Sequence, residues 1–412
     1  MRQNQTITLI LVILAAVLAL IGLTWVNYRF TQQNPGGNDF LARWVGANAW
    51  VMDGVSPYDE SVSLETQRRI YGRPATADED TSHFVYPLHS MIFFAPFGVM
   101  DYEWARPLWM TLLELAIVGL VVVSVRLVEW EKLSPWKLVL FALFAVFWYH
   151  GARTLILGQF AALNAFLIAL GLLFVKQKQD VAAGIMFALA TSKPPMVYLL
   201  IPYVVIWGLS ARRTQLVAAT VGGVVLLLGI SQLILPGWWL DWLRQLSDYP
   251  TYTATISPVA IIANAVPGIR ETVNGTLTVM VVLYMLMEWW FSFGKDERHF
   301  FWTACMTMVL SMMIAPRTAT TNYLMFFPGL ILILQIVEDR WARGGKAFVW
   351  IALGGLLIGL WALFFATVNG NAESLAMYMP LPFLMLFGLW WVRWWAIRPS
   401  RLLLEDFAAR MG

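Results

Sequence analysis

The sequence contains little charge and almost no cysteine. Only 13% of its 412 residues are Asp, Glu, Lys or Arg, against about 25% in ordinary soluble domains. Its one cysteine, Cys305, lies in an apolar run, which excludes a disulfide framework and a cysteine-ligated metal site. The formal net charge of +3 is small and scattered along the chain, so no nucleic-acid partner is expected.

Hydrophobic residues dominate instead, at 59% of the chain. No soluble fold of this length has an interior large enough to bury that much apolar surface, so a lipid bilayer must act as part of the solvent. The 22 Trp and 13 Tyr residues agree with this, because their amphipathic rings favour the headgroup boundary. The sequence therefore predicts one integral membrane domain over residues 1–412.

Twelve apolar runs predict an all-α, multi-pass protein with about twelve transmembrane helices. The runs cover residues 7–26, 107–125, 138–149, 160–175, 181–192, 194–209, 215–235, 276–293, 300–315, 321–337, 347–367 and 375–392. The first run is longer than the apolar core of a cleavable signal, which has about 7–15 residues, and we interpret it as a retained span. Gly and Pro residues within 138–209 predict broken or tilted helices there.

Basic residues indicate the orientation of these helices. With twelve spans and a cytoplasmic N-terminus, 17 of the 28 Lys and Arg residues fall on the inner side. Cytoplasmic loops carry such an excess, so both termini are predicted to be cytoplasmic, in a cell membrane. A span at 87–100 would reverse this arrangement, and we interpret that segment as an outer re-entrant or interfacial helix.

The predicted outer loops are the elaborate ones. Residues 27–106 form a first extracytoplasmic loop of about 80 residues, far beyond a typical connection. Within it, residues 39–53 can form an amphipathic helix whose apolar stripe, at Phe40, Trp44, Ala47 and Val51, suits a membrane surface. A second outer loop, 236–271, is rich in Trp. The outer face is therefore the predicted place of function.

Several stretches of the first half of the chain resemble family 87 of the glycosyltransferases. They are NDFLARWVGANAWVMDGVSPYD (38–59), FVYPLHSMIFFAPFG (84–98), ARPLW (105–109), LGQFAALNAFL (157–167) and AAGIMFALATSKPPMVYLLIP (182–202). The resemblance implies a membrane enzyme of the GT-C architecture. It also implies transfer of a hexosyl unit, commonly mannosyl, from a polyprenyl-phosphate donor to a lipid or glycan acceptor on the outer face.

One late segment departs from the family pattern. The family often reads Ser-Pro-x-Ser-Trp-x-His-His there, whereas this chain reads APRTATTNY (315–323). The histidine role is therefore missing or taken by Thr320, Asn322 or Tyr323. The departure concerns the donor sugar and the acceptor more than the class of reaction.

Asp39 is the candidate catalytic base. The resemblance implies this role for an acidic residue early in the first outer loop, and a base must take the proton of the acceptor hydroxyl in an inverting displacement. The alternative is structural, because Asp before an apolar run is a good N-cap and Arg43 lies one turn further on. The two roles can coexist.

The other candidate residues are predicted to bind substrate. Arg153, Lys193 and Arg317 are outer-side cations beside spans, suited to the lipid phosphate; snorkelling is the alternative for each. Further polar candidates are Arg43, Tyr86, Gln159, Asn164 and Asn322. Gln159 and Asn164 are better suited to joining helices, and Tyr86 is at least as well suited to a structural turn.

No metal or other cofactor is expected. Asp78, Glu79 and Asp80, with His83 and His89, match no compact zinc spacing, and a departing lipid phosphomonoester needs less help than a nucleotide diphosphate. The competing class is a multi-span transporter or lipid flippase. Transporters usually show paired repeats, discontinuous helices at the midplane and several charges within the membrane. No clear repeat relates the two halves of this sequence, and its elaboration is concentrated in the first outer loop.

Overall fold

The secondary structure is helical throughout the part of the chain that the structure describes. The computed structural model describes residues 2–34, 36–76, 79–130, 133–252, 256–341, 344–370 and 373–398, and no β-strand occurs within these ranges. The α-helices are α1 Arg2–Gln33, α2 Asn38–Asp53, α3 Glu60–Tyr71, α4 Met91–Gly98, α5 Tyr102–Leu127, α6 Pro135–Phe147, α7 Tyr149–Leu157, α8 Ala161–Lys176, α9 Asp180–Ala190, α10 Leu200–Ser210, α11 Thr214–Ile234, α12 Trp238–Tyr252, α13 Pro258–Asn264, α14 Arg270–Ser292, α15 Glu297–Ile314, α16 Phe327–Arg340, α17 Gly345–Thr367 and α18 Pro380–Ala396. Short 3₁₀ helices lie at Leu88–Ser90, Pro194–Met196, Pro267–Ile269, Thr320–Phe326 and Leu375–Tyr378.

Within the described residues, seven helical segments are long and apolar enough to cross a membrane, which confirms the all-α, multi-pass class. They are Ile13–Gln33, Tyr102–Leu127, Thr214–Ile234, Pro267–Ser292, Thr320–Arg340, Gly345–Thr367 and Leu375–Ala396. The bent pair α6 and α7, which meet at 57°, brings the number to eight if it forms one span. The count of twelve is not confirmed, because α8, α9 and α10 have 16, 11 and 11 residues, fewer than the roughly 20 of a straight span.

The region 138–209 is broken where its sequence predicts it. Helices α6 and α7 meet at Trp148 with the 57° bend. Helix α9 ends at Ala190, and Pro194 and Pro195 then form a 3₁₀ turn before α10 begins at Leu200. Proline has no N–H to donate, so α9 cannot continue through these residues.

The chain divides into two compact units. Unit 1 contains the described residues within Met1–Ala116, Arg153–Phe160 and Gly237–Tyr252. Unit 2 contains those within Ile117–Ala152, Ala161–Pro236 and Thr253–Gly412.

In unit 1, helix α2 packs closely on α4. A Cβ added to Gly98 would lie 2.7 Å from the carbonyl carbon of Ala47, so only glycine permits this approach. Trp44 donates through its Nε1–H to the carbonyls of Phe97 and Met100, both at 3.0 Å, which satisfies the last turn of α4. The predicted apolar stripe of α2 therefore faces protein rather than a membrane surface: Phe40, Trp44 and Ala47 are buried, and of the four stripe residues Val51 alone is exposed.

Aromatic rings fill the space between the elements of unit 1. The Phe40 ring stacks on Trp109 with 4.9 Å between centroids, and Phe94 and Phe160 lie 5.5 Å apart beside them. Burial of such large rings is the main source of stability available to this unit. Asn27 of α1 donates to Glu114 of α5 at 2.8 Å, which joins these two helices by a hydrogen bond at membrane depth.

In unit 2, small residues allow close helix packing and one ion pair joins two spans. A Cβ added to Gly184 of α9 would lie 2.5 Å from the Ala219 Cβ of α11. Arg393 of α18 donates to both carboxylate oxygens of Glu288 in α14, with its Nη2 2.8 Å from Oε2. Ionisable groups at membrane depth are expensive unless paired in this way.

Candidate active site

Asp39 lies in the first turn of α2, where its carboxylate is half-buried. The N-cap of α2 is Gly37, which has a left-handed backbone at φ 72°, so the capping role considered for Asp39 is wrong. Within the described segments the Asp39 carboxylate forms no hydrogen bond and no ion pair, including none with Arg43. The positive end of the helix dipole favours a negative charge at this position. The Asp39 carboxylate is therefore accessible and has no hydrogen-bond or ion-pair partner among the described side chains.

Arg43 and Tyr86 lie beside Asp39. The Arg43 Cζ is 4.7 Å from the centroid of the Tyr86 ring, a cation–π contact. Burial is the main cause that raises the pKa of Tyr86, the Asp39 charge raises it further, and the Arg43 charge opposes both. These three predicted residues thus share one electrostatic environment in unit 1.

Tyr86 is held in place by a strained turn that α12 supports. Val85 has φ 34°, a left-handed value that is costly for a β-branched residue. Its N–H donates to the Gln245 side chain at 3.3 Å, and its carbonyl accepts from the Trp242 indole at 3.1 Å. The Gln245 amide also donates to the Tyr58 carbonyl at 3.0 Å. Part of the second predicted outer loop therefore positions a residue of the first one.

Asp80, which the sequence analysis considered only as a metal ligand, is a second carboxylate near Asp39. Burial is the main cause that raises the pKa of Asp80, and the Asp39 charge adds to it. The Ser82 N–H, which donates to Asp80 at 2.7 Å, and the charges of Arg43 and His83 act in the opposite direction. Asp80 retains accessible surface, which limits the rise. No spacing rule relates positions 39 and 80, so only the fold reveals this proximity.

The segment that carries Arg153 and Gln159 also belongs to unit 1. Gly158 has φ 70°, and a Cβ added there would lie 2.6 Å from the Cβ of Phe40, the neighbour of Asp39. The Trp109 indole donates to the Gly158 carbonyl at 2.9 Å and fixes this backbone. Gln159 therefore follows a residue in direct contact with the start of α2, and Arg153 lies half-buried at the beginning of the same segment.

Substitution of Gly158 by Val is expected to destabilise the protein by about 2–5 kcal/mol. Overpacking against Phe40 costs about 1–3 kcal/mol, and a left-handed backbone costs a β-branched residue about 1–2 kcal/mol more. We expect a lower unfolding temperature of the purified protein in detergent, together with loss of activity, because Phe40 adjoins Asp39. Gly229→Val in α11 is the matched control, since nothing lies within 4 Å of a Cβ there. An unchanged unfolding temperature for Gly158→Val would contradict the close packing described above.

Unit 2 contains Asn164 and Lys193. Asn164 in the first turn of α8 is fully buried, and its Nδ2 donates to the Met196 Sδ at 3.6 Å. Its Oδ1 is buried without a hydrogen-bond partner among the described residues. Lys193 is only 5% exposed, and its carbonyl accepts from the Met196 N–H at 3.1 Å. A buried amide oxygen without a partner and a buried lysine are each unusual, and such groups cluster where a ligand or water binds.

Arg317 lies shortly before a polar turn of unit 2, and Asn322 lies within that turn. Arg317 is half-buried in the loop after α15, and Asn322 lies within the Thr320–Phe326 turn, which packs against α8. Asn322 is 3% exposed, and its Oδ1 has no hydrogen-bond partner in the described part of the chain. The Thr320 hydroxyl donates to Glu373 Oε1 at 2.6 Å.

The fold brings three further residues to this turn from distant positions. The Tyr149 hydroxyl donates to Glu373 Oε1 at 2.5 Å. The His150 ring packs on the Tyr323 ring, with 5.4 Å between centroids. The segment 315–323 lacks a histidine, yet one lies against it, supplied by the break between α6 and α7. Nothing in the sequence relates Tyr149 and His150 to Glu373, because 224 residues separate Tyr149 from Glu373.

The predicted site residues thus form two sets, each within its own unit. Unit 1 contains Asp39, Arg43, Tyr86, Arg153 and Gln159, and unit 2 contains Asn164, Lys193, Arg317 and Asn322. Their roles stay predictions. Among the described side chains, no three or more of His, Cys, Asp or Glu gather into a group able to hold a metal ion. Asp78 lies outside the described residues.

Comparison with known proteins gives one match. The family model described as Glycosyltransferase family 87 matches residues 84–316, more than half of the chain. Neither a curated protein nor a solved structure matches it. The matched range includes Tyr86, Arg153, Gln159, Asn164 and Lys193, whereas Asp39, Arg43, Arg317 and Asn322 lie outside it.

Proposed function

The chain belongs to glycosyltransferase family 87. From this premise we propose that it transfers a hexosyl unit, which we take to be mannosyl, from a polyprenyl phosphate to an acceptor hydroxyl. Membership of the family makes it a membrane glycosyltransferase with a sugar donor and an acceptor. A lipid-linked donor fits a chain of this kind, because the prenyl tail partitions into the same bilayer that surrounds its spans. The acceptor is a lipid or glycan hydroxyl.

The observation that carries the proposal is the accessible, uncommitted carboxylate of Asp39 beside Arg43 and Tyr86. As the acceptor oxygen attacks the anomeric carbon, Asp39 takes its proton. The new carbon–oxygen bond forms while the bond from the anomeric carbon to the phosphate oxygen breaks, and the electron pair leaves with the lipid phosphate. One such displacement inverts the anomeric configuration.

The basic residues are proposed to stabilise the leaving phosphate. The departing lipid phosphate gains negative charge, and a preorganised cation in a site of low dielectric constant stabilises it strongly. Lys193 is buried and Arg317 is half-buried, which makes them the best candidates in unit 2. Arg153 is the corresponding candidate in unit 1. The amides of Gln159, Asn164 and Asn322 are suited to sugar hydroxyls.

We place this chemistry on the extracytoplasmic side of a cell membrane, with both termini cytoplasmic. The distribution of basic residues supports this orientation. The position of Asp39 supports it as well, because α2 begins shortly after α1 ends at Gln33. The headgroup region, where a lipid phosphate lies, is therefore within reach of the first turn of α2.

Reconstitution distinguishes the transferase from a transporter or flippase. Purified protein in liposomes receives a polyprenyl-phosphate mannose and a membrane-lipid extract as acceptor, and transfer and translocation are measured in the same vesicles. We expect a new mannosylated product whose formation requires the protein. Movement of the lipid-linked sugar between leaflets with no new product would contradict the proposal and favour the transporter.

A further inference from the structure

The Glu373 side chain is a hydrogen-bond acceptor held in one orientation by two hydroxyl groups. Two hydroxyl groups, those of Tyr149 and Thr320, donate to the same oxygen, Oε1, at 2.5 and 2.6 Å. A carboxyl oxygen has two lone pairs, so these two donors use the accepting capacity of Oε1. The other oxygen, Oε2, has no hydrogen-bond partner among the described residues. One oxygen therefore fixes the side chain, and the second retains its full capacity to accept.

Rigid neighbours hold this carboxylate in place. The Tyr149 ring is fully buried against Trp361 and Phe364, with centroids 5.3 and 5.1 Å away. On the other side, the Tyr323 hydroxyl donates at 3.1 Å to the carbonyl of Tyr378, in the turn that follows Glu373. A preorganised group loses little entropy when it binds a ligand, so it contributes more to affinity.

The surroundings of Glu373 match a sugar phosphate. Glu373, Trp361 and Phe364 are only partly buried, and Tyr149 contacts all three of them. Sugars combine hydroxyl donors with apolar C–H faces, and a few fixed polar groups among rings suit such ligands. Arg317 lies three residues before Thr320, a separation that spans at most about 10 Å. A phosphate at Arg317 would keep its sugar within reach of Glu373.

We propose that Glu373 Oε2 accepts a hydrogen bond from a hydroxyl group of the donor sugar and so determines which sugar the protein uses. This rests on the proposed function and names a determinant of its specificity. Tyr149 and Thr320 are positioning residues that act through Glu373. The residue lies beyond the range 84–316 that the family model matches.

Binding of deoxy sugars tests the assignment. The probes are a short-chain prenyl-phosphate mannose and its four monodeoxy analogues, without acceptor, so that no turnover occurs. The wild-type protein is expected to bind one analogue at least about 10-fold more weakly, the value of one hydrogen bond to a charged group. Glu373→Gln replaces the carboxylate by a neutral amide, so it should bind the parent donor about 10-fold more weakly than the wild type does. Its affinities for the parent donor and for that analogue should differ by less than about 3-fold.

Two control variants separate recognition from folding. Glu271→Gln removes an exposed carboxylate elsewhere in unit 2 and should change neither affinity nor discrimination. Tyr149→Phe removes one positioning hydroxyl without removing charge and should keep the preference for the same hydroxyl.

The outcomes are distinguishable from one another. Two results would overturn the assignment of Glu373 while leaving the transferase proposal intact. In one, Glu373→Gln still distinguishes the parent donor from the deoxy analogue as well as the wild type does. In the other, it loses affinity equally for all five probes. A wild-type protein that neither binds nor transfers any lipid-linked sugar would overturn both.

Discussion

Replacement of Asp39 by Asn is expected to lower the rate of sugar transfer by about 10²–10⁴-fold, the usual contribution of a general base. Asn has the same size as Asp but cannot take the proton of the acceptor hydroxyl. Since the Asp39 carboxylate forms no hydrogen bond with the described residues, the substitution should leave the unfolding temperature nearly unchanged. The measurement is the initial rate of product formation in proteoliposomes at saturating donor.

A carboxylate of the same helix provides the control for Asp39. Asp53 lies in the last turn of α2 and is exposed, so Asp53→Asn changes the net charge equally without touching the proposed site. We expect its rate to stay within about 2-fold of the wild type, as for a surface substitution. An Asp39→Asn protein that retained half or more of the wild-type rate would show that the base lies elsewhere.

Substitution of Lys193 by Met is expected to lower the transfer rate by about 10²–10³-fold, the loss seen when one stabilising donor is removed from an active site. Lys193 is only 5% exposed, and a water-excluded position strengthens its attraction for the leaving phosphate. Met preserves the length and apolar character of the side chain, so the loss should appear in kcat rather than in the yield of folded protein.

An exposed lysine serves as the reference for this substitution. Lys346 lies in the first turn of α17 and is exposed, and Lys346→Met should retain the wild-type rate. Lys193→Arg should recover part of the lost activity, since it restores a positive charge with a different shape. Full activity of Lys193→Met would show that Lys193 does not bind the leaving phosphate.

Hydropathy predicted the class of this fold but not the number of its spans. Apolar runs such as 107–125 and 215–235 became the long helices α5 and α11. The runs between 160 and 209 became helices of 11–16 residues. A short apolar run looks the same whether it crosses a bilayer or lies inside a bundle, so hydropathy alone does not determine the number of spans.

The same ambiguity explains the stripe on α2. Phe40, Trp44 and Ala47 recur at helical spacing, a pattern that fits a membrane surface and a protein interior equally well. In this protein the stripe packs against other helices, because Gly98 allows α4 to approach the backbone of α2 at Ala47. That information lies about 50 residues away from the stripe and carries no local signal.

The candidate site was predictable where its residues are close in sequence. Asp39 and Arg43 lie one helical turn apart, and their common position follows from periodicity. Asp80, His150 and Glu373 reach their neighbours only through tertiary folding. Glu373 in particular follows an ordinary apolar span, and nothing in its local sequence relates it to Tyr149 or Thr320.

The central claim, transfer of a sugar from a lipid phosphate, is tested most directly by the mass of the product. Purified wild-type protein is offered isotope-labelled hexoses on polyprenyl phosphate and, in parallel, on nucleoside diphosphate, each with the same lipid extract. We predict a labelled product, heavier than its acceptor by one hexosyl unit, from a polyprenyl-phosphate donor only. Transfer from the nucleotide sugars, with none from any lipid-linked donor, would contradict the account.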